Sequence, residues 1–284
     1  MRSHSGAMTG IGARTIEGFA DEWSRFDQSA LSESERQAIF DGYFAIFPWD
    51  RIGQSAVGLD IGCGSGRWAG VVAPRVGELH CIEPDAVTLS VAQKNLRTFA
   101  NCRFHRASAS DIPLPDAFAD FAYSLGVLHH IPDAASALAA SVAKLKPDAP
   151  FLLYMYYALE NRPKWLRYAW RCADGLRRVI SRTPLRIRTA LTDSLAMIVY
   201  WPLARLARIA ERLGFNAENL PLAFYRHRSF YVMRTDCRDR FGTVLEQRFT
   251  RAQIAEMMTA AGLENIRFSP KPPYWVAVGF RRNF

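Results

Sequence analysis

Cysteine is scarce in this chain, and its placement argues against a metal centre. Five cysteines occur among 284 residues, none at C-x-x-C spacing and none with nearby histidines in a zinc-ligand pattern. Three of them, Cys63, Cys81 and Cys102, fall on or beside predicted buried strands, where a thiol packs as a small apolar group. The sequence therefore predicts no metal site and indicates a reducing compartment.

Long apolar runs are also missing. No stretch approaches the roughly 18 apolar residues that a membrane-spanning helix needs, and the first residues lack the charged-then-apolar order of a signal peptide. The chain has no internal repeat and no low-complexity tract. Its 49% hydrophobic and 22% charged residues are typical of a folded globular protein. We expect a soluble cytoplasmic protein with one large α/β domain and an elaboration.

The positive charge of the chain is concentrated in one segment. The net charge is +9, yet residues 156–250 hold 18 basic against 8 acidic side chains, whereas residues 1–155 hold 13 against 17. Such a segment suits an anionic small molecule, an anionic lipid surface that gives peripheral membrane contact, or RNA. An anionic or saccharide small molecule is the preferred interpretation, and nucleic acid is the least favoured partner.

Helical periodicity within this basic segment separates apolar from basic residues. A helix is predicted over residues 163–182, with apolar side chains toward one side and arginines around the rest. The apolar side of this helix holds Trp165, Tyr168 or Ala169, Cys172, Leu176 and Val179. A second helical stretch follows and is apolar over residues 195–203.

The most informative segment is rich in glycine. Residues 57–68 read VGLDIGCGSGRW, an apolar strand that ends at Ile61 and passes into glycines at 62, 64 and 66. Glycine permits a positive φ and lets a ligand approach the backbone closely. Glu83 lies 21 residues after Gly62, near the spacing of about 20 at which an acid after the second strand binds ribose hydroxyls. The two features predict a nucleoside site.

The glycine pattern argues against a dinucleotide. The fingerprint G-x-G-x-x-G/A requires a small residue where this chain has Arg67, which disfavours an NAD-dependent dehydrogenase. The run DIGCGSG instead resembles the S-adenosylmethionine (SAM) motif of class I methyltransferases. Residues 107–133, which include GVLHH, resemble the third and fourth strands of that family, and residues 144–157 resemble its fifth strand.

The resemblance implies SAM as the cofactor and a set of residues that hold it. The glycine loop would pack against the amino-acid moiety and adenosine, and Glu83 would bind the ribose. Ser108 stands where the family often has an aspartate that accepts a hydrogen bond from adenine, and its hydroxyl accepts without a charge. The implied cofactor-binding residues are Asp60, Gly62, Cys63, Gly64, Gly66, Glu83, Ser108, Ala109 and Leu125.

Strand and helix patterns alternate from residue 56 onward. The predicted fold is therefore α/β, a doubly wound seven-stranded mostly parallel sheet of the class I methyltransferase type. Ser32 with Glu35, and Thr250 with Gln253, mark two helix starts as capping boxes. The predicted strands are residues 57–61, 79–83, 102–106, 121–125, 151–156, 266–268 and 274–280.

Four regions follow from this pattern. Residues 1–50 are predicted to form an N-terminal helical lid, and residues 51–156 a SAM-binding Rossmann-like core. Residues 157–249 are predicted to form a basic helical insert after strand 5 that caps the acceptor site. Residues 250–284 supply a C-terminal helix and the last two strands of the sheet.

Candidate catalytic and acceptor residues lie mainly after the fourth and fifth strands. His129, at the end of the fourth strand, is the candidate base, because imidazole titrates near neutral pH. Helix capping or packing under the loop is the alternative role for either histidine of the pair. The candidate acceptor contacts are Trp23, His130, Tyr156 and Arg226, with core packing as the alternative for the aromatic residues and a solvated loop for the arginine.

The sequence thus predicts in-line methyl transfer from SAM to a small-molecule or saccharide-type acceptor, at oxygen. Enzymes that decorate bacterial sugars and secondary metabolites provide the analogy for this acceptor. Three alternatives stay open: an RNA methyltransferase, a methyltransferase of a lipid-linked acceptor at the membrane surface, and a noncatalytic SAM-binding module. The sequence leaves the oligomeric state open.

Overall fold

The computed structural model describes residues 31–218 and 220–283, and it divides into two compact units. Among the described residues, the first unit comprises 36–158 and 247–283, and the second comprises 31–35 and 159–246. The predicted lid residues 1–30 lie outside the described residues. Within the described ranges, no helix combines the length and apolar character that crossing a membrane requires.

A seven-stranded sheet forms the centre of the first unit, as predicted. Its spatial order is β3-β2-β1-β4-β5-β7-β6, and only β7 runs antiparallel to its two neighbours among these strands. This is the doubly wound α/β fold of class I methyltransferases. The strands are β1 Val57–Ile61, β2 Glu78–Ile82, β3 Cys102–His105, β4 Phe121–Leu125, β5 Pro150–Tyr154, β6 Leu263–Phe268 and β7 Val276–Arg281.

Alternate residues of each central strand pack on opposite faces of the sheet. Leu59 and Ile61 belong to one buried cluster, whereas Phe121 and Tyr123 belong to the other. Both faces are therefore apolar, which explains why the central strands are nearly continuous hydrophobic runs. Because β1 to β5 run parallel, their carboxyl ends meet at one edge of the sheet, where ligands bind in this class of fold.

Helices flank the sheet, and the predicted helix starts are confirmed. The Ser32 hydroxyl accepts from the backbone N–H of Glu35 at 3.2 Å, and Thr250 with Gln253 forms a complete capping box. The helix after the glycine loop is a single short turn that begins at Ala69. The helices that cover this sheet are α1 Glu33–Phe44, α2 Ala69–Val72, α3 Ala86–Asn95, α4 Ala134–Ala143 and α9 Arg251–Ala260.

The second unit is helical and has a small core of its own. A π-helical stretch, Ala196–Tyr200, joins two of its helices, and Tyr200, Tyr225 and Met233 are among the side chains buried at its centre. Its helices are α5 Lys164–Ile180, α6 Leu185–Leu195, α7 Trp201–Arg212 and α8 Phe230–Gly242.

Helix α5 is amphipathic as predicted, but its apolar side is exposed. Tyr168 is 64% exposed and Val179 is 65% exposed, whereas Arg177 and Ile180 are buried. The Arg177 guanidinium bonds Asp174 at 2.8 Å and the carbonyl of Thr243 at 3.0 Å, which satisfies its charge inside the unit. The packing side of this helix is therefore the side that carries the ion pair.

Candidate cofactor and active site

The glycine loop begins where β1 ends, and it requires glycine. Gly62, Gly64 and Gly66 all have positive φ, at 76°, 53° and 78°. A Cβ on Gly62 would lie 2.4 Å from a methyl carbon of Val127, so no other residue fits without displacement. The backbone N–H groups of Gly62 and Cys63 both donate to the carbonyl of Ile82, at 2.9 and 3.0 Å, which fixes the loop against β2.

Glu83 directly follows β2 and faces this loop. One carboxylate oxygen accepts from the backbone N–H of Gly64 at 3.2 Å, and the other accepts from that of Asp85 at 3.2 Å. Burial raises the pKa of Glu83 from 4.5 to about 7, because desolvation outweighs the two hydrogen bonds that favour the charged form. The predicted ribose ligand is thus a nearly buried acid held beside the predicted SAM loop.

Asp60, the other acid of the predicted set, lies within β1 and is buried on the Tyr123 face of the sheet. Burial raises its pKa from 3.8 to about 7, the Tyr123 hydroxyl lowers it, and the charge of Glu83 raises it further. Burial also holds the pKa of Tyr123 well above its usual value. Two acids with raised pKa values therefore lie beside the glycine loop. Asp60 belongs to the strand that leads into the loop, and Glu83 follows the neighbouring strand.

The remaining predicted cofactor residues follow the neighbouring strands. The backbone N–H of Ala107 donates to the Glu83 carbonyl at 3.2 Å, so the chain after β3 runs beside Glu83. Ser108 follows, and its hydroxyl accepts from the N–H of Ser110 at 3.2 Å. Ala109 is buried beneath this turn, and Leu125 ends β4 with its side chain partly buried against the core.

An aromatic cluster stands at the ends of β4 and β5. The rings of His129 and Tyr156 stack with centroids 4.0 Å apart, and the ring of His130 lies 4.0 Å from that of His129. All three side chains are buried, and His129 is fully so. Val127, whose side chain contacts Gly62, connects this cluster to the glycine loop. The structure thus brings His129, His130 and Tyr156 together beside the predicted cofactor residues.

Two residues of this cluster were not identified from the sequence. The Arg248 guanidinium lies over the Tyr156 ring, 5.2 Å from its centroid. Gln247 donates from its backbone to the His129 carbonyl at 3.0 Å and from its side chain to the Ile131 carbonyl at 2.7 Å. Both residues were assigned to the insert, where no local pattern indicated that the chain returns to the sheet. In the structure, Phe249 pairs with Tyr157 in an isolated bridge at that point.

Two predicted acceptor residues are not among the described residues of the first unit. Trp23 lies outside the described residues. Arg226 belongs to the second unit, where its guanidinium donates to Glu211 at 2.8 Å and to the carbonyl of Ala223 at 2.9 Å. His227 contacts the other oxygen of Glu211 at 2.6 Å. Arg226 first, and then His227, lowers the pKa of this exposed acid.

Comparisons with known sequences match part of the first unit. The family described as "Methyltransferase domain" matches residues 59–153. The uncharacterized methyltransferase YcgJ of Bacillus subtilis is 36% identical over 109 residues, which cover 36% of this chain and 42% of that protein. The chain thus spans less than half the length of this curated relative.

Two solved structures show the same fold at low identity. The 1,6-didemethyltoxoflavin-N1-methyltransferase of Burkholderia thailandensis, solved with 1,6-didemethyltoxoflavin and S-adenosylhomocysteine, has a TM-score of 0.56 at 15% identity and covers 100% of this chain and 94% of its own. A possible histamine N-methyltransferase of Thermotoga maritima has a TM-score of 0.51 at 14% identity, covering 97% of this chain and 100% of its own.

Proposed function

We propose that the chain carries a class I, SAM-dependent methyltransferase domain and that it methylates an oxygen of a small-molecule or saccharide-type acceptor. The observation that carries this proposal is the contact between Gly62 and Val127, because it sets the His129 cluster beside the cofactor loop. A nucleoside site and a candidate base therefore adjoin within one unit.

The residues present fit the cofactor. Gly62, Gly64 and Gly66 keep the loop backbone free of side chains, and the carboxylate of Glu83 stands at the carboxyl end of β2 for the ribose hydroxyls. Ser108 and Ala109, after β3, and Leu125, the last residue of β4, are proposed to border the adenine. When bound, SAM supplies an electrophilic sulfonium methyl group.

His129 is proposed to take the proton from the acceptor hydroxyl. A hydroxyl is a weak nucleophile, so a base within hydrogen-bond reach assists its attack, typically by 10²- to 10⁴-fold. The stacked Tyr156 ring holds the imidazole in place and excludes water on that side. Gln247 fixes the backbone of the turn that carries the imidazole.

The acceptor side of the proposal rests on Tyr156, His130 and Arg248. The Tyr156 phenol can donate a hydrogen bond to an acceptor oxygen, and the Arg248 guanidinium above its ring favours an anionic group. Arg226, the remaining predicted acceptor residue, pairs with Glu211 within the second unit, and its contact with an acceptor stays a prediction. This combination suits a small polar acceptor that carries a carboxylate or phosphate.

The test is transfer of an isotopically labelled methyl group from SAM to a pool of cell-extract metabolites, followed by mass spectrometry. We expect a labelled small molecule and stoichiometric S-adenosylhomocysteine. The His129→Ala variant should bind SAM as the parent does and turn over about 10²-fold more slowly or worse. The exposed Lys94→Ala variant is the control and should match the parent.

Two results would contradict this function. If SAM binds but no pool yields S-adenosylhomocysteine, the chain is a noncatalytic SAM-binding module. If labelled product forms equally with His129→Ala, the base is another group or the acceptor needs none. A labelled RNA or lipid in place of a small molecule would reassign the acceptor class.

A further inference from the structure

The second unit exposes an unusual amount of apolar side chain. Of the nineteen large hydrophobic residues that are exposed in the described part of the chain, eighteen lie between 165 and 230, and the other is Val87. Contiguous exposed apolar groups mark interaction surfaces more often than chance exposure. The concentration of exposed apolar side chains in one unit therefore indicates an interaction surface.

The exposed apolar residues of α5 form a continuous strip. Successive helical residues are about 100° apart, so spacings of three and four keep side chains on one side. Their positions follow this spacing over four turns, and none of them is buried. The members of the apolar strip of α5 are Trp165, Tyr168, Cys172, Leu176 and Val179.

A basic strip adjoins the apolar strip along α5. Its four exposed residues share the neighbouring sector of the helix, and the guanidinium of Arg171 lies 5.7 Å from the ring centroid of Tyr168. The side that carries Ile180 and Arg177 is the packed side. The basic strip of α5 consists of Lys164, Arg167, Arg171 and Arg178.

Helix α7 repeats this arrangement. Leu206, Ile209 and Leu213, the last just beyond the helix end, are exposed on one side, with Arg212 exposed beside them. Its alanines at 204 and 207 face the interior. The π-helical stretch before it adds three successive exposed side chains, of which Ile198 is 71% exposed.

We propose that the apolar and basic strips of α5 dock on an anionic lipid bilayer. Amphipathic helices with aliphatic and Trp side chains on one face and arginines beside them bind in the interface of such membranes. Residues 159–246 hold 17 basic against 8 acidic side chains, so the charge of the unit matches an anionic headgroup layer. Leu176 and Val179, which continue the strip beyond its two aromatic residues, offer no face for base stacking, and this argues against RNA.

Flotation of the full chain with lipid vesicles tests this docking. We expect it to float with vesicles of phosphatidylglycerol and phosphatidylcholine in equal parts and to remain below with pure phosphatidylcholine. The Arg167→Glu/Arg171→Glu variant should lose binding by at least about 25-fold, since each basic residue near such a surface contributes about fivefold. Lys94→Glu/Arg97→Glu, on and just after α3, makes the same change of net charge and should bind as the parent does.

A second variant tests the apolar strip without changing charge. Leu176→Ser/Val179→Ser should weaken vesicle binding by at least about tenfold, because the lost groups would lie among acyl chains. Both positions are exposed, so circular dichroism and the melting temperature should match the parent. These readouts involve neither SAM nor an acceptor, so they stand apart from the test of methyl transfer.

Three outcomes would overturn the docking proposal. One is equal binding, or none, to the neutral and the anionic vesicles. Another is equal loss of binding in the variant of α5 and in its α3 control. The third is that the parent does not bind vesicles but self-associates or binds single-stranded RNA, and that Leu176→Ser/Val179→Ser abolishes this association. The apolar strip would then bind another copy of the chain or RNA.

Discussion

Two glycines near the candidate active site differ in what a side chain would meet. Gly62 and Gly126 have nearly the same positive φ, at 76° and 79°. An added Cβ would strike Val127 at position 62, but at position 126 it would meet nothing within 4 Å. Gly53 has neither constraint. These three positions separate backbone strain from steric overlap.

We expect alanine substitutions at these positions to form a graded series of stability losses. Gly53→Ala should change the free energy of unfolding by less than about 0.5 kcal/mol, and Gly126→Ala should cost about 1–2 kcal/mol for the left-handed backbone. Gly62→Ala should cost a further 1–3 kcal/mol or so, because Val127 must move. Urea unfolding measures all three. Equal costs at 62 and 126 would show that Val127 yields freely.

The raised pKa of Glu83 predicts that the stability of the folded chain depends on pH. An acid with a pKa of 4.5 when unfolded and about 7 when folded binds more protons in the folded state between those values. The stability it contributes is therefore greatest below pH 4.5 and is lost as pH rises through about 7. The 2.5-unit difference corresponds to about 3 kcal/mol.

Replacement of Glu83 by glutamine should reveal this pH dependence of stability. The stability of Glu83→Gln relative to the parent should increase by about 2–3 kcal/mol between pH 5 and pH 8, because the amide has no charge to bury. Urea unfolding of the cofactor-free chain at several pH values is the measurement. A pH-independent difference would mean that the folded acid titrates near its usual pKa.

At the scale of elements, α5 shows why its buried side could not be predicted from periodicity. Its most apolar residues form one side, but the helix packs through the side that contains Arg177 and Asp174. The buried pair is made possible by the carbonyls of Thr243 and Val244, which lie far along the chain. Nothing in the local sequence indicates that these partners will be present.

Two neighbouring arginines allow this element to be tested. Arg177 and Arg178 both pair with Asp174 at 2.8 Å, but the side chain of Arg177 is 10% exposed and that of Arg178 is 66% exposed. Arg177→Ala should cost about 3–5 kcal/mol, since it leaves buried carbonyls and part of a buried carboxylate without a partner. Arg178→Ala should cost less than about 1 kcal/mol. Comparable losses in urea unfolding would show that Arg177 is not a packing residue.

At the scale of the whole molecule, the sheet was predictable because its strands are buried on both faces. β1 and β4 were predicted with their observed bounds, since each is a mostly apolar run of five residues between turn residues. The fifth strand was predicted to reach Tyr156, but its ladder with β7 ends at Tyr154, where Val276 begins its partner strand. Strand ends depend on partners that are distant in sequence.

The contact between the glycine loop and Glu83 was predictable for a related reason, and the membership of the His129 cluster was not. The loop depends on backbone geometry and Glu83 follows it at a fixed spacing, and both can be read from the sequence. Gln247 and Arg248 reach the His129 cluster only because the chain returns to the first unit after about ninety residues of insert. Their roles depend on tertiary structure alone.

The nucleoside preference of the loop should appear as a shift in the melting temperature of the whole chain. A ligand that binds only the folded state stabilises it by about 2.7 kcal/mol at one hundred times its dissociation constant. For a chain of this size that corresponds to about 5 °C or more. SAM should give this shift and NAD should give none, because Arg67 occupies the place where the pyrophosphate fingerprint needs a small residue.

Glu83, just after β2, and Glu78, the first residue of β2, provide the matched comparison. Glu83→Ala should abolish the shift caused by SAM, because Glu83 is the proposed ribose contact. Glu78→Ala should retain it, because Glu78 begins the same strand and pairs with Arg103 at 3.1 Å at the opposite end of the sheet. A full shift in Glu83→Ala would place the ribose elsewhere, and an equal shift with NAD would contradict the loop's selectivity. Because stabilisation is read without an acceptor, this measurement separates cofactor binding from methyl transfer.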